Sequence, residues 1–265
     1  PDMARRLELE NYSGKYQMLD CQPNLAKGIE FQLEQHKMYT SDVPILTVLG
    51  QGQNSGKFKT QLFIKKVLED MGYTPAVISS NPLGALFGCY TMPSFFYDNS
   101  LEFERRIIDF NHYIYKLSRL EMPDIIILGV PGGATPFTTS AYNQFGLFTH
   151  MVTSAVTSDL SVISTYYDYR QPIGDGEFSA MAENFRGRFG ITLNAASVGS
   201  IGYEYSTDPR RYVIYDYLDD GYISRHPYDE SKLGSKVFLL RENTEKARGI
   251  VESMINSLTG NLNLV

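Results

Sequence analysis

The chain has no tryptophan, two cysteines and four histidines. Cys21 and Cys89 are too few for a disulfide framework or a four-ligand zinc site, and they fit a reducing compartment, so a cytoplasmic location is expected. His36, His112, His150 and His226 stand at no spacing that a metal would need, and no metal site is expected. No apolar run approaches the roughly 20 residues of a membrane-spanning helix. Nor is there a block of lysine and arginine: 24 basic residues stand against 30 acidic ones, for a net charge of -6. Neither a membrane nor a nucleic acid is therefore expected as a partner. A Gly-X-Ser-X-Gly elbow is missing, which leaves serine-hydrolase chemistry without support. The first residues read "PDMARR" with no initiator methionine, and the segment is expected to be the end of a longer upstream region.

What is present suits a soluble α/β protein. The 265 residues, 43% hydrophobic and 20% charged, suffice for one large domain or for a domain with a small appendage. Tyrosine (19) and phenylalanine (15) cluster in "FFYD", "STYYDYR", "IGYEYS" and "RYVIYDYLDD", where packing and interface area are their first use. Residues 1–42 are expected to form a helical lead-in, with Leu25, Ile29 and Leu33 at helical spacing, and 43–265 an α/β domain. Buried-strand patterns at 43–50, 74–80, 123–133, 160–165 and 190–198 alternate with helical patterns at 59–73, 101–120, 143–157 and 177–188, and "NPLGALFG" after the second strand is expected as a loop. In the first of these helices Leu62, Phe63, Val67 and Leu68 are expected to share a face. "RRYVIYDYL", "SKVFLLR" and a helix over 243–258 are expected to close the sheet. Continuous apolar strands alternating with helices predict a mainly parallel sheet covered on both faces.

The first strand runs into "GQGQNSGKFKT", which opens the first helix. A loop in that position offers backbone N–H groups and a positive helix end to an anion, and glycine lets the backbone come close. Gly50, Gly52 and Gly56 fit that use, Lys57 would reach the outer phosphates, and Asn54, Ser55 and Thr60 complete the candidate contacts. The alternative is a structural turn that binds nothing. Two departures from the usual P-loop stand out: five residues separate Gly50 from Gly56, and Phe58 sits where a hydroxyl would hold magnesium. A second glycine turn, "GVPGGATP", follows the strand at 123–133 and would lie at the same sheet edge, which brings in Gly132, Gly133 and Thr135. Ser79, Ser80 and Asn81 are further candidates at that edge. "YDYLDDGY" carries Asp216, Asp219 and Asp220, read as a solvated acidic turn or, as the alternative, a cation holder.

The long-spaced loop resembles the P-loop variant of dethiobiotin synthetase and the MinD-like ATPases, which implies a P-loop NTPase-like fold, ATP or GTP as ligand and a possible homodimer. In that group an acidic residue precedes the second glycine turn, and here that position is Gly129. The implied magnesium site thus lacks its hydroxyl and its carboxylate, with only Thr60 and Asp124 as substitutes, and this counts against magnesium-dependent phosphoryl transfer. "GKFKTQL" and the layout of "GVPGGATPFTTSAYNQFGLFTHM" resemble D-glutamate N-acyltransferase-like proteins, which implies an acyl- or coenzyme A-using transferase as an alternative function. The broadest resemblance, carried by "GQGQNSGKFKTQL", "LFGCYTMPSFFY", "FNHYIYKL" and "PDIIILGVPGGATPF" through "NQFG", is to the peptide maturation system proteins of ribosomal-peptide natural-product clusters. It covers roughly residues 43–150 and implies a role in peptide maturation, with a precursor peptide or a modifying enzyme as partner. A non-catalytic partner with a degenerate loop is the third reading.

Overall fold

The computed structural model describes residues 33–136, 142–206, 213–241 and 244–261. Residues 1–32 of the expected lead-in, with Cys21, lie outside them; the described part, 33–42, is not helical but irregular chain with a turn at Gln35 and His36. Nine strands are described: β1 Ile45–Gly50, β2 Pro75–Ser79, β3 Tyr90–Thr91, β4 Ile125–Gly129, β5 Leu160–Thr165, β6 Ala195–Val198, β7 Ile201–Tyr205, β8 Val213–Tyr217 and β9 Val237–Leu239. The helices are α1 Lys57–Asp70, α2 Phe103–Glu121, α3 Leu147–Ala155, α4 Asp175–Phe189, α5 Asp220–Arg225 and α6 Thr244–Asn261.

Seven strands form one parallel sheet in the order β3-β2-β4-β1-β5-β6-β9. Its central strands are buried along their whole length because both faces are covered; β4 reads as an unbroken apolar run, whereas β1 and β5 also bury the small hydroxyl residues Thr47, Ser161, Ser164 and Thr165. On one face Ile64, Val67 and Leu68 of α1 and Ala247, Val251 and Ile255 of α6 pack on Leu46, Val48 and Ile127. On the other, Phe110 and Ile114 of α2, Met151 of α3 and Phe185 of α4 pack on Leu49, Ile126 and Ile163. The chain leaves β1 onto the first face and β4 onto the second, so a crevice opens between these adjacent strands at their carboxyl ends, the place where open α/β sheets receive ligands.

The structure corrects four local expectations. The buried face of α1 is Thr60, Gln61, Ile64, Val67 and Leu68, whereas Leu62 and Phe63 are only partly covered. "NPLGALFG" is not a plain loop: Pro82–Phe87 is a 3-10 helix whose Leu83 N–H donates to the capping Asn81 side chain, and it delivers the edge strand β3. The strand expected at 190–198 starts only at Ala195; just before it Asn194 N donates to Ser161 O at 2.8 Å while the Asn194 carboxamide oxygen accepts from Ser161 N at 2.8 Å. Finally, "RRYVIYDYL" does not close the main sheet. Val213–Tyr217 pairs antiparallel with Ile201–Tyr205 as a separate hairpin, and its half-exposed pattern fits no position in a sheet covered on both faces, while Val237–Leu239, fully buried, takes the edge.

Candidate functional site

The loop from Gly50 to Gly56 joins β1 to α1 inside the crevice, and its shape depends on residues that tolerate positive φ, Asn54 (φ 55) and Gly56 (φ 94). Its carbonyls are held by the body of the protein. Ala134 N donates to Gly50 O at 2.8 Å, Ser164 Oγ donates to Ser55 O at 2.8 Å, and the Tyr166 hydroxyl donates to Gln53 O. What such a loop keeps for a ligand is its amide edge and the first turn of the helix behind it. The N-terminus of α1 carries no side-chain cap and no acidic residue in its first turn, so its positive end is not neutralised from within.

Lys57 Nζ donates to Gly132 O at 2.5 Å and to Gly52 O at 3.3 Å, which ties the two glycine turns together. Lys57 is in none of the ion pairs formed among the described residues. Burial of its ammonium, with only carbonyl dipoles as partners, pushes its pKa down to about 8. Gly50 is required here, since a Cβ on it would stand 2.7 Å from both Lys57 Nζ and Ser55 Oγ. The Ser55 hydroxyl is buried and has no hydrogen-bond partner, a cost that an arriving acceptor would relieve. Gly133 packs on the loop backbone, where a Cβ would meet Gly52 Cα at 2.6 Å, and Thr135 Oγ1 approaches Gln51 O at 3.5 Å.

A cavity of about 480 Å³ opens over this loop. Of the candidate contacts from the sequence, Asn54, Ser55, Gly56, Lys57, Gly132, Ser80 and Asn81 line it. Gly50, Gly52, Gly133 and Thr135 are not among the lining residues: the first two belong to the loop's own backbone, and Gly133 and Thr135 lie against it. Thr60 is turned away from the cavity and fully buried: its hydroxyl stands 2.8 Å from Ser197 Oγ and 3.3 Å from Ser164 Oγ, in a chain of hydroxyls that ends on Ser55 O. Thr60→Val is expected to lower the unfolding free energy by about 1–3 kcal/mol through the orphaned partners, and to change ligand affinity by less than about threefold. Chemical denaturation beside a binding titration separates the two effects. Gln53, Lys59, Ile201 and Tyr217 also line the cavity and were not singled out from the sequence. The lining contains two lysines and no carboxylate, although the chain as a whole carries a net charge of -6.

The residues present do not fit a magnesium ion held in the usual P-loop way. Phe58 faces the Phe87 ring (centroids 5.7 Å apart) where a hydroxyl ligand would stand. At the carboxylate position, Gly129, a Cβ would lie 2.6 Å from Cδ and Nε2 of Gln61, whose amide donates to Ile78 O at 2.8 Å. The space of the missing side chain is filled. Asp124, at the far end of β4, accepts from Thr74 N at 2.7 Å and is not among the cavity residues.

Two of the histidines and the acidic turn serve other ends. His112 Nε2 is 2.7 Å from Lys37 O with its ring edge-on to Tyr39, and exposed His150 stacks on Phe103. Asp219 caps α5 through Tyr222 N, and Asp220 pairs with Arg241 at 2.5 Å. Among the described residues no cluster of His, Cys, Asp and Glu could hold a metal, and no helix is long and apolar enough to cross a membrane.

No protein-family model matches the chain, and no curated protein does. Among solved structures it is similar to a DUF1611 family protein from Anabaena variabilis at 10% identity, over 81% of this chain and 58% of that one, with a TM-score of 0.49. It is also similar to a cobyrinic acid a,c-diamide synthase from Mycobacterium smegmatis with bound ADP and magnesium, at 14% identity over 63% and 78% of the two chains and a TM-score of 0.35. A third is a GTPase from Pyrococcus abyssi in its apo form, at 17% identity over 80% and 97% and a TM-score of 0.41. The chain thus spans little more than half of the DUF1611 protein.

Proposed function

We propose that this protein binds the phosphates of a nucleotide, ATP or GTP, in the Lys57 cavity, and that it does so in the maturation of a ribosomal peptide. The observation that carries the binding reading is the pairing of a lysine-lined, carboxylate-free cavity with an uncapped helix end in an otherwise acidic protein. An anion would exchange the carbonyl dipoles around Lys57 for a full charge and give Ser55 Oγ an acceptor. The peptide role rests on the likeness of the stretches from "GQGQNSGKFKTQL" to "NQFG" to peptide maturation system proteins, and a precursor peptide or a modifying enzyme is the partner this reading names. A second copy of the chain is compatible with it.

Calorimetric titration of the protein with ATP, GTP and coenzyme A tests the reading. Saturable binding of a nucleoside triphosphate in preference to coenzyme A is the expected result. Coenzyme A outcompeting ATP would turn the assignment to the acyl-transferase alternative, which the poor fit for magnesium favours, and no binding by any of the three would overturn it.

The lysine also sets a pH dependence. In the free protein Lys57 releases its proton near pH 8, and a neighbouring phosphate raises that value by favouring the charged form. Above that point binding must take up a proton, so affinity is expected to fall by up to about tenfold per pH unit while remaining flat below it. Titrations in buffers of different ionisation enthalpy would show the proton uptake as a buffer-dependent heat; an affinity independent of pH up to 9.5 would contradict it.

A further inference from the structure

Beside the anion cavity lies a second one of about 610 Å³, at the carboxyl ends of β2 and β3. The two share Ser80 and Pro82 as a common wall. Its volume is in the range of small-molecule pockets, roughly 300–1,000 Å³. Apart from hydroxyl groups its lining is apolar and aromatic, with Met92, Pro93, Phe95, Tyr97 and Tyr113, and it contains no charged side chain. The contrast with the lysine-lined neighbour is chemical as well as spatial.

The framework of this second cavity is fixed. Met92 N donates to Ser79 O at 3.0 Å and the Tyr113 hydroxyl donates to Thr91 O at 3.3 Å, so the segment after β3 is pinned to β2 and to α2. The Tyr97 ring packs edge-on against Phe96 and Phe148, and burial pushes its pKa up to about 12. Its hydroxyl therefore stays neutral over the working pH range and offers a hydrogen bond without a charge.

The sheet order places the two ends of the anion cavity apart. Ile201 and Tyr217 belong to the hairpin that follows β6, whereas Ser80 and Pro82 follow β2, and the phosphate loop on β1 lies between them. With strands about 4.8 Å apart, β2 and β6 each stand about 10 Å from β1 on opposite sides. A nucleotide whose base rests at Tyr217 leaves the Ser80 side free.

We propose that the Met92–Tyr97 cavity receives the uncharged, apolar or aromatic body of a second small-molecule ligand, held with its polar end at the Ser80 wall facing the phosphate cradle. The proposal rests on the reading of the Lys57 cavity for the identity of its neighbour, and on the lining alone for its own ligand class. Charged ligands are excluded because a desolvated charge would find no counter-charge there.

The test uses 2-naphthol, a neutral aromatic probe, titrated calorimetrically into the wild-type chain and into Ser94→Trp and Thr91→Phe, two variants that fill the cavity from different sides. Saturable binding to wild type, weakened by about tenfold or more in both variants, is expected, with ATP affinity unchanged within about threefold. Lys57→Ala should show the reverse pattern. Binding of 2-naphthol that is absent, or equal in wild type and in whichever variants fold, overturns the proposal. Should ATP fail to bind wild type while 2-naphthol binds and is blocked by the variants, the compartment stands and the nucleotide reading falls.

Discussion

Lys57→Ala is expected to weaken nucleotide binding by about 100-fold, about 2.7 kcal/mol, the scale of a charge-assisted hydrogen bond lost from a partly desolvated site. The ammonium has surrendered most of its water, and among protein groups its partners are two carbonyls, Gly132 O and Gly52 O. A phosphate would therefore meet a cation whose desolvation has already been met on folding, so little further reorganisation opposes binding. The same fact predicts the stability of the variant. A lysine held below its ordinary pKa binds its proton less firmly folded than unfolded, so keeping it charged costs stability that sets in as the pH falls below 10.5 and is complete below about pH 8, and removing the lysine relieves that cost. The melting temperature of the alanine variant should thus stay within a few degrees of wild type. Lys57→Met keeps the stem and should match the alanine in affinity; if either variant binds ATP as well as wild type, the lysine is a structural strut between the two glycine turns and not a ligand contact.

Much of the architecture could be read from the sequence because it rests on local chemistry. Short, mostly apolar segments such as Ile45–Gly50 and Ile125–Gly129, bounded by turn residues, read as strands covered on both sides, and each lies in the central part of the sheet. The elements misread were those decided by tertiary context. The paired strands Ile201–Tyr205 and Val213–Tyr217 carry β-branched and aromatic residues like any strand, yet their half-exposed faces excluded them from the main sheet. The edge strand Tyr90–Thr91 is two residues long and leaves no periodic signal.

The candidate site divides along the same line. The glycines and lysine of the loop were legible because a phosphate cradle needs them at fixed spacing. Their division of labour was not: Gly50 and Gly133 make room for neighbours, and only a three-dimensional contact reveals that. Thr60 follows the lysine at the spacing of a ligand contact, but one helical turn rotates it onto the sheet, where Ser164 and Ser197 take its hydroxyl. Lys59 and Tyr217 reach the cavity from an exposed helix face and a hairpin, positions with no sequence pattern of their own.

The second large effect concerns magnesium. Whatever affinity the cavity has for ATP is expected to change by less than about threefold between excess magnesium and excess chelator, because neither side chain that would hold the ion in a usual P-loop is available. Gly129 is the more informative of the two positions. Restoring the acid alone, as Gly129→Asp, should destabilise the fold by about 3 kcal/mol or more, since Gln61 fills the space and the carboxylate would be buried at the end of a fully covered strand. Gln61→Ala empties that space at the cost of the bond to Ile78 O. The triple change Phe58→Thr, Gln61→Ala and Gly129→Asp should therefore be more stable than Gly129→Asp by itself, and its ATP binding should now strengthen with magnesium. Thermal unfolding orders the variants, and titrations with and without the ion read the gain. If wild type already needs magnesium, the ion is held by groups other than positions 58 and 129, and the filling of the Gly129 space by Gln61 has no bearing on its chemistry.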